Sequence, residues 1–166
     1  MNLLPEQSSN TADRSVVYPA MTPAEHAPTV EHARSAAKAM YADDASSQHL
    51  GIELDEVAPG RARARMNIGP TMVNGHGIAH GGYIFLLADT AFAFACNSYG
   101  EPAVARACDI VFLRPAREGD VLVATAIERT RAGRNGIYDV RVSRSGGEVV
   151  AEFRGQSAAL NGGSRQ

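Results

Sequence analysis

Asp89 is the lone carboxylate in residues 83–96, a run that is otherwise apolar apart from Thr90. The run opens from a glycine-rich loop, His76-Gly77-Ile78-Ala79-His80-Gly81-Gly82. A helix apolar on every face is a buried helix, and a charge at its centre is expensive unless something uses it. Glycines at a helix start let a ligand approach bare backbone N–H groups, where the helix dipole favours negative charge. One short segment therefore carries an anion-stabilising end and a buried acid or base. That pairing suits an enzyme acting on a carbonyl. The carboxylate serves as base or nucleophile, and a backbone N–H meets the developing oxyanion.

The elements that must position these groups are legible around them. Residues 30–46 contain no Gly or Pro and carry Ala33, Ala36, Ala37, Ala39 and Met40, which predicts a helix. Residues 51–57 alternate apolar and acidic types, and Ala58-Pro59-Gly60 reads as a turn. Residues 61–68 alternate strictly, with Arg61, Arg63, Arg65 and Asn67 on one face and Ala62, Ala64, Met66 and Ile68 on the other. A strand with one wet face belongs to an antiparallel sheet. After the central helix come four strand-like runs, at 104–113, 120–129, 137–144 and 148–157, with glycine-containing hairpin connections at 132–136 and 145–147. No second helix separates them, so the fold class is α+β, with a mainly antiparallel sheet wrapped around one long central helix.

This order, with His80-Gly81-Gly82 opening the helix and Asp89 eight residues after Gly81, resembles the hotdog-fold acyl-CoA thioesterases. Longer strings resemble the PaaI-type enzymes of phenylacetate degradation. They are Asn74-Gly75-His76, Leu87-Ala88-Asp89-Thr90-Ala91-Phe92-Ala93, Ala95-Cys96-Asn97-Ser98, Asp109-Ile110-Val111-Phe112-Leu113-Arg114-Pro115, Gly136-Ile137-Tyr138-Asp139-Val140 and Phe153-Arg154-Gly155. The resemblance runs from about residue 31 to the end. It implies a hotdog fold and hydrolysis of (hydroxy)phenylacetyl-CoA or a related aryl- or acyl-CoA to the free acid and CoA. The rival readings are a thioesterase for another aromatic or medium-chain acyl-CoA, and a non-catalytic acyl-CoA-binding module.

The resemblance also implies roles. Asp89 is the catalytic carboxylate, as nucleophile or as base, and Gly81 supplies the oxyanion N–H. Asn74 positions the thioester carbonyl or the water, although Asn-Gly is also a common turn. His80 and Gly82 are placed at the helix start against the CoA part of the substrate, with His80 also expected to hydrogen-bond backbone as a loop or helix-start residue, and Arg134 is the candidate for a CoA phosphate. Tyr83, Phe85, Phe92 and Tyr99 are expected to wall the acyl pocket. Thr90 and Asn97 are expected to hydrogen-bond structurally. His76 and His80 lack a nearby Cys or third His, so no metal is expected, nor any cofactor. Gly81 and Asp89 lie roughly 12 Å apart along one helix axis. If both serve one carbonyl, they come from different subunits. A homodimer or homotetramer with the active site at the dimer interface is therefore expected, which matches what the resemblance implies.

The chain of 166 residues has the size of one domain and a net charge of -2, which gives no general pull toward nucleic acid. Cys96 and Cys108 sit in apolar surroundings and read as small buried hydrophobes in a reducing cytoplasm. The start lacks a basic, then apolar, leader pattern. The central apolar run is shorter than the roughly 20 residues a membrane span needs. Residues 1–30, rich in Pro, Ser, Thr and Ala, are expected to be a disordered tail. Residues 31–160 are expected to be the thioesterase domain, and 161–166 a flexible end.

Overall fold

The structure is a computed structural model that describes residues 28–160. The expected tail, up to residue 27, and the expected flexible end, 161–166, lie outside the described residues. Two short helices lead in. Thr29 caps α1 (Val30–Ala42) by accepting from the His32 N–H. The single helix expected over 30–46 is divided, because Asp44 accepts from both the N–H and the hydroxyl of Ser47 and so caps a new helix, α2 (Ala45–His49). An Asp at an N-cap satisfies donors that a continuing helix would not offer it.

Six antiparallel strands form one sheet: β1 (Glu53–Ala58), β2 (Arg61–Asn67), β3 (Ala103–Phe112), β4 (Val121–Ala132), β5 (Asn135–Arg144) and β6 (Val149–Ala159). Their spatial order is β1-β2-β4-β5-β6-β3. The two edges are therefore β1 and β3. The β4–β5 hairpin is tighter than expected, since both strands extend into the predicted connection and leave only Gly133 and Arg134 in the turn. Gly133 takes φ +57°, which a side chain resists.

The central helix α3 (Gly81–Asn97) lies across the inner face of this sheet. The inner positions of the strands are small where the helix crosses: Ala62, Ala64, Ala124, Ala126, Ala151 and Gly155. The helix supplies the volume, with Leu87, Phe92 and Phe94 fully buried. Phe92 illustrates the fit. A Cβ built on Gly155 would lie 2.8 Å from its ring, and Tyr138 and Phe153 pack around it at centroid distances of 5.4 and 5.9 Å. Large helix residues over small strand residues bring the two layers close and leave little void.

Contrary to the prediction from its sequence, the helix is not buried on every side. Gly82, Phe85, Leu86, Asp89, Ala93 and Asn97 are exposed or half-buried, at the three- and four-residue spacing of one helix face. That face borders the edge strand β3, which is itself exposed along almost its whole length.

Candidate active site

Helix α3 and strand β3 run antiparallel, and three contacts mark their alignment. The Phe112 ring lies so close to Gly81 that a Cβ there would sit 2.9 Å from ring atom Cζ. Midway, the Cys108 thiol donates to Asp89 Oδ1 at 3.9 Å. At the far end, Asn97 donates from Nδ2 to the Ala103 carbonyl at 3.0 Å and accepts the Ala103 N–H on Oδ1 at 2.9 Å. Asn97 is thus structural, as expected, and so is Thr90, whose hydroxyl lies 3.4 Å from that of Ser47.

At the helix start, His80 is the N-cap. Its Nδ1 accepts the Gly82 N–H at 3.0 Å, and its ring packs edge-on to Tyr83. The Gly82 N–H is therefore engaged inside the protein. The Gly81 N–H, one residue earlier, has no acceptor among the described residues. It points from the positive end of a seventeen-residue helix.

Asn74 stands in the loop before this helix. Its backbone bonds Ile78 and Gly77, and its Oδ1 accepts the His76 N–H at 2.9 Å. The turn role and a positioning role are compatible, since no acceptor among the described residues takes the two Nδ2 protons. Among the described residues no group of three His, Cys, Asp or Glu side chains converges as a metal site would require.

Asp89 is half-buried in the middle of the helix face that borders β3. Burial pushes its carboxyl up from the ordinary carboxylate value, and the thiol of Cys108, donating to it, pulls the other way. No other side chain donates to Asp89 among the described residues. The helix start and the acid do not meet within one protomer. Gly81 sits at the Phe112 end of β3 and Asp89 at Cys108, consistent with the axial separation of roughly 12 Å from helix geometry.

Several expectations are corrected. Phe92 is a core residue, 1% exposed, and cannot wall a pocket. Tyr99 lies beyond the C-terminal end of α3, where its hydroxyl donates to Glu128 and the Arg131 guanidinium stacks over its ring at 3.9 Å. Tyr83 and Phe85 remain half-buried near the helix start. Cys108 is not buried but exposed on the edge strand. Arg134 sits in the β4–β5 turn at the Asn97 end of α3, away from Gly81 in the same protomer, and Nε and Nη2 both donate to the Ala159 carbonyl. Cys108 and Phe112 are the site neighbours that sequence reasoning missed. Their signal was present: 108, 110 and 112 share one strand face, but only the strand order makes it the face toward α3.

A concavity of about 710 Å³ opens on the outer face of the sheet, where Arg129, Asp139 and Arg154 form a chain of ion pairs. It is separated from Asp89 by the sheet itself. No described helix is long and apolar enough to cross a membrane.

The chain was then compared with known proteins. Residues 76–151 match the model of the thioesterase superfamily. The acyl-coenzyme A thioesterase PaaI of Escherichia coli strain K12 is 47% identical over 126 residues, which is 76% of this chain and 90% of that protein. The solved structure of the E. coli PaaI protein from the phenylacetic acid degradation operon superposes with a TM-score of 0.80 at 44% identity, covering 81% of this chain and 98% of that one. A mutant of the phenylacetic acid degradation protein PaaI from Thermus thermophilus superposes with a TM-score of 0.66 at 37% identity, covering 69% and 97%. The shared architecture is the hotdog fold.

Proposed function

The chain belongs to the thioesterase superfamily, and on its likeness to the PaaI enzymes we propose that it hydrolyses phenylacetyl-CoA, or a ring-hydroxylated relative, to the free acid and CoA. It is an acyl-CoA thioesterase. The observation that carries the reading is Asp89: one desolvated carboxylate, on the helix face left partly open, in a run of otherwise apolar residues.

Asp89 acts as the general base. A carboxyl pushed up by burial is a better proton acceptor than an ordinary one. It takes a proton from water as the oxygen attacks the acyl carbon, and as the C–S bond breaks it returns that proton to the departing sulfur, which leaves as the CoA thiol. The Gly81 N–H and the α3 dipole stabilise the oxyanion, and the Nδ2 of Asn74 holds the carbonyl or the water. The remaining N–H groups of Arg134 and the helix start at His80 and Gly82 receive the CoA moiety.

The site is assembled from two chains. Pairing two β3 edges about a two-fold axis would cover the exposed edge strand. It would also lay the open face of one α3 against its counterpart and bring the helix start of one subunit toward Asp89 of the other. Two free cysteines suit the cytoplasm. The test is free-thiol release from a panel of acyl-CoAs. Phenylacetyl-CoA and its hydroxylated relatives should give the highest kcat/KM. A preference for straight medium chains would replace the substrate, and binding without thiol release would replace catalysis by a binding role. Single turnover in oxygen-18 water tests the base: the label should enter the product acid and not the Asp89 carboxyl.

A further inference from the structure

We propose that Cys108 is a positioning residue for Asp89, its S–H holding the carboxylate in one orientation and favouring its charged form. The inference rests on the thioesterase reading above and adds a residue to that site.

Three observations carry it. First, Cys108 is the sole side-chain donor to Asp89 among the described residues, at 3.9 Å onto Oδ1. Oδ2 has no side-chain donor among the described residues. Second, the placement is set by the ladder. Cys108 is opposite Gly155 on β6, and at Gly155 the absence of a side chain brings the Phe92 ring against the backbone. The thiol therefore stands on the inner face of β3, over the middle of α3, with no strand neighbour's side chain beside it on β6. Third, among the described residues no other charged side chain contacts Asp89. On the inner faces of β2 and β6 the helix meets Ala62, Ala64, Met66 and Phe153. Glu128 of β4 accepts from Tyr99 and from Tyr138 of β5, toward the C-terminal end of α3. On α3 itself Cys96 is buried two turns on, its thiol pushed up to about 12, chiefly by burial. Cys108 is the one titratable group that β3 turns toward Asp89.

The pair is reciprocal. A thiol donor stabilises the carboxylate over the carboxylic acid, and the carboxylate opposes ionisation of the thiol. Partial desolvation and then the Asp89 charge push the Cys108 thiol up, while the same hydrogen bond pulls Asp89 down against the larger effect of burial. A weak S–H donor gives a modest effect. It orients the carboxyl without lowering its basicity as far as a hydroxyl or guanidinium would.

Two arms test this. In the first, Cys108→Ala should move the acid limb of the kcat/KM profile to higher pH and lower kcat several-fold below neutrality, with KM nearly unchanged. Cys108→Ser, a stronger donor, should return the limb to the wild-type position or slightly below it. In the second, the Cys108 thiol is titrated by its thiolate absorbance in wild type and in Asp89→Asn, with the matching Cys108→Ala proteins as blanks. Its ionisation should begin at lower pH in Asp89→Asn. An acid limb unmoved in Cys108→Ala overturns the proposal, as does a thiol titration indifferent to Asp89→Asn. The thiol arm needs no turnover. A chain that hydrolysed no thioester would sink the thioesterase reading and still report on this contact.

Discussion

Strands β2 and β3 belong to one sheet and press on one helix, yet they end in opposite states. Every second residue of β2 is buried and every other one is exposed, so Ala62, Ala64 and Met66 meet α3 while Arg61, Arg63, Arg65 and Asn67 meet water. β3 is longer and carries more bulk, and almost all of it is exposed, including Val104, Val111 and Phe112. The difference is not composition but position. β2 has a strand on each side, whereas β3 has β6 on one side and, among the described residues, no strand on the other. The packed region holds the fold. The unfinished region holds Asp89, Cys108 and the open face of α3, the groups with chemistry. A surface that one chain leaves incomplete is where a shared site belongs.

The largest effect should come from the unfinished side. Asp89→Asn removes the base, and loss of a general base typically lowers the rate about 10²- to 10⁴-fold. The variant should fold, because Asn fits the same half-buried position. Retention of near wild-type turnover would end the mechanism proposed for Asp89.

On the packed side the effect should fall on stability instead. Phe92→Ala removes a ring that fills the space over Gly155 between Tyr138 and Phe153. Cavities of this kind cost about 3–5 kcal/mol. Phe112→Ala removes a ring that is half exposed in the protomer and should cost far less in denaturant unfolding. Equal losses for the two would mean that β3 is as well packed as the interior, and the contrast would fail.

Subunit mixing sharpens the contrast between one chain and two. Asp89→Asn and Asn74→Ala subunits, each inactive alone, should recover activity when dissociated and reassociated together. In a two-fold dimer with random pairing, half the dimers are hybrids and one of the two sites in each is whole, so recovery should approach about a quarter of wild type. If Asn74 and Asp89 serve one site from the same chain, every hybrid site carries one lesion and mixing restores nothing.

The sequence made the packed region legible and left the other half-written. Strict alternation placed β2, and the apolar run placed α3, because burial imposes a period on a chain that has one partner per face. The split between α1 and α2 escaped, since one Asp side chain bonding Ser47 outweighs a run of helix-forming alanines. At the site, the types of Asp89 and Gly81 announced themselves: a charge and two glycines are anomalies in an apolar helix. Cys108 and Phe112 did not, because a cysteine and a phenylalanine in an apolar strand look like core. Only the strand order, which moves β3 from its place in the chain to the sheet edge beside β6, makes them neighbours of Asp89 and Gly81. Phe92 failed the other way. It lies three residues after Asp89 in the sequence, but on the buried side of the same helix.

The smallest expected effect tests what the unfinished region does to stability. Burial raises the Asp89 carboxyl above its unfolded value. The folded protein therefore holds a proton on Asp89 at pH values where the unfolded chain has lost it, and stability falls as pH climbs from the unfolded carboxylate value through the folded one. Above the folded value the group is ionised in both states, and its partly desolvated charge weighs against folding. Asp89→Asn removes that charge, so the inactive variant should melt slightly higher than wild type at neutral pH, by on the order of 2 °C. The gap should close as pH falls below the ordinary carboxylate range, where wild-type Asp89 is neutral in both states. Phe92→Ala should show no such dependence, because the loss of a ring from an apolar site involves no proton. A lower melting temperature for Asp89→Asn at neutral pH would mean that the carboxylate is held by interactions strong enough to outweigh its burial. Asp89 would then be a structural anchor of the α3–β3 contact, and the opposition between a region built to fold and a region built to react would not hold.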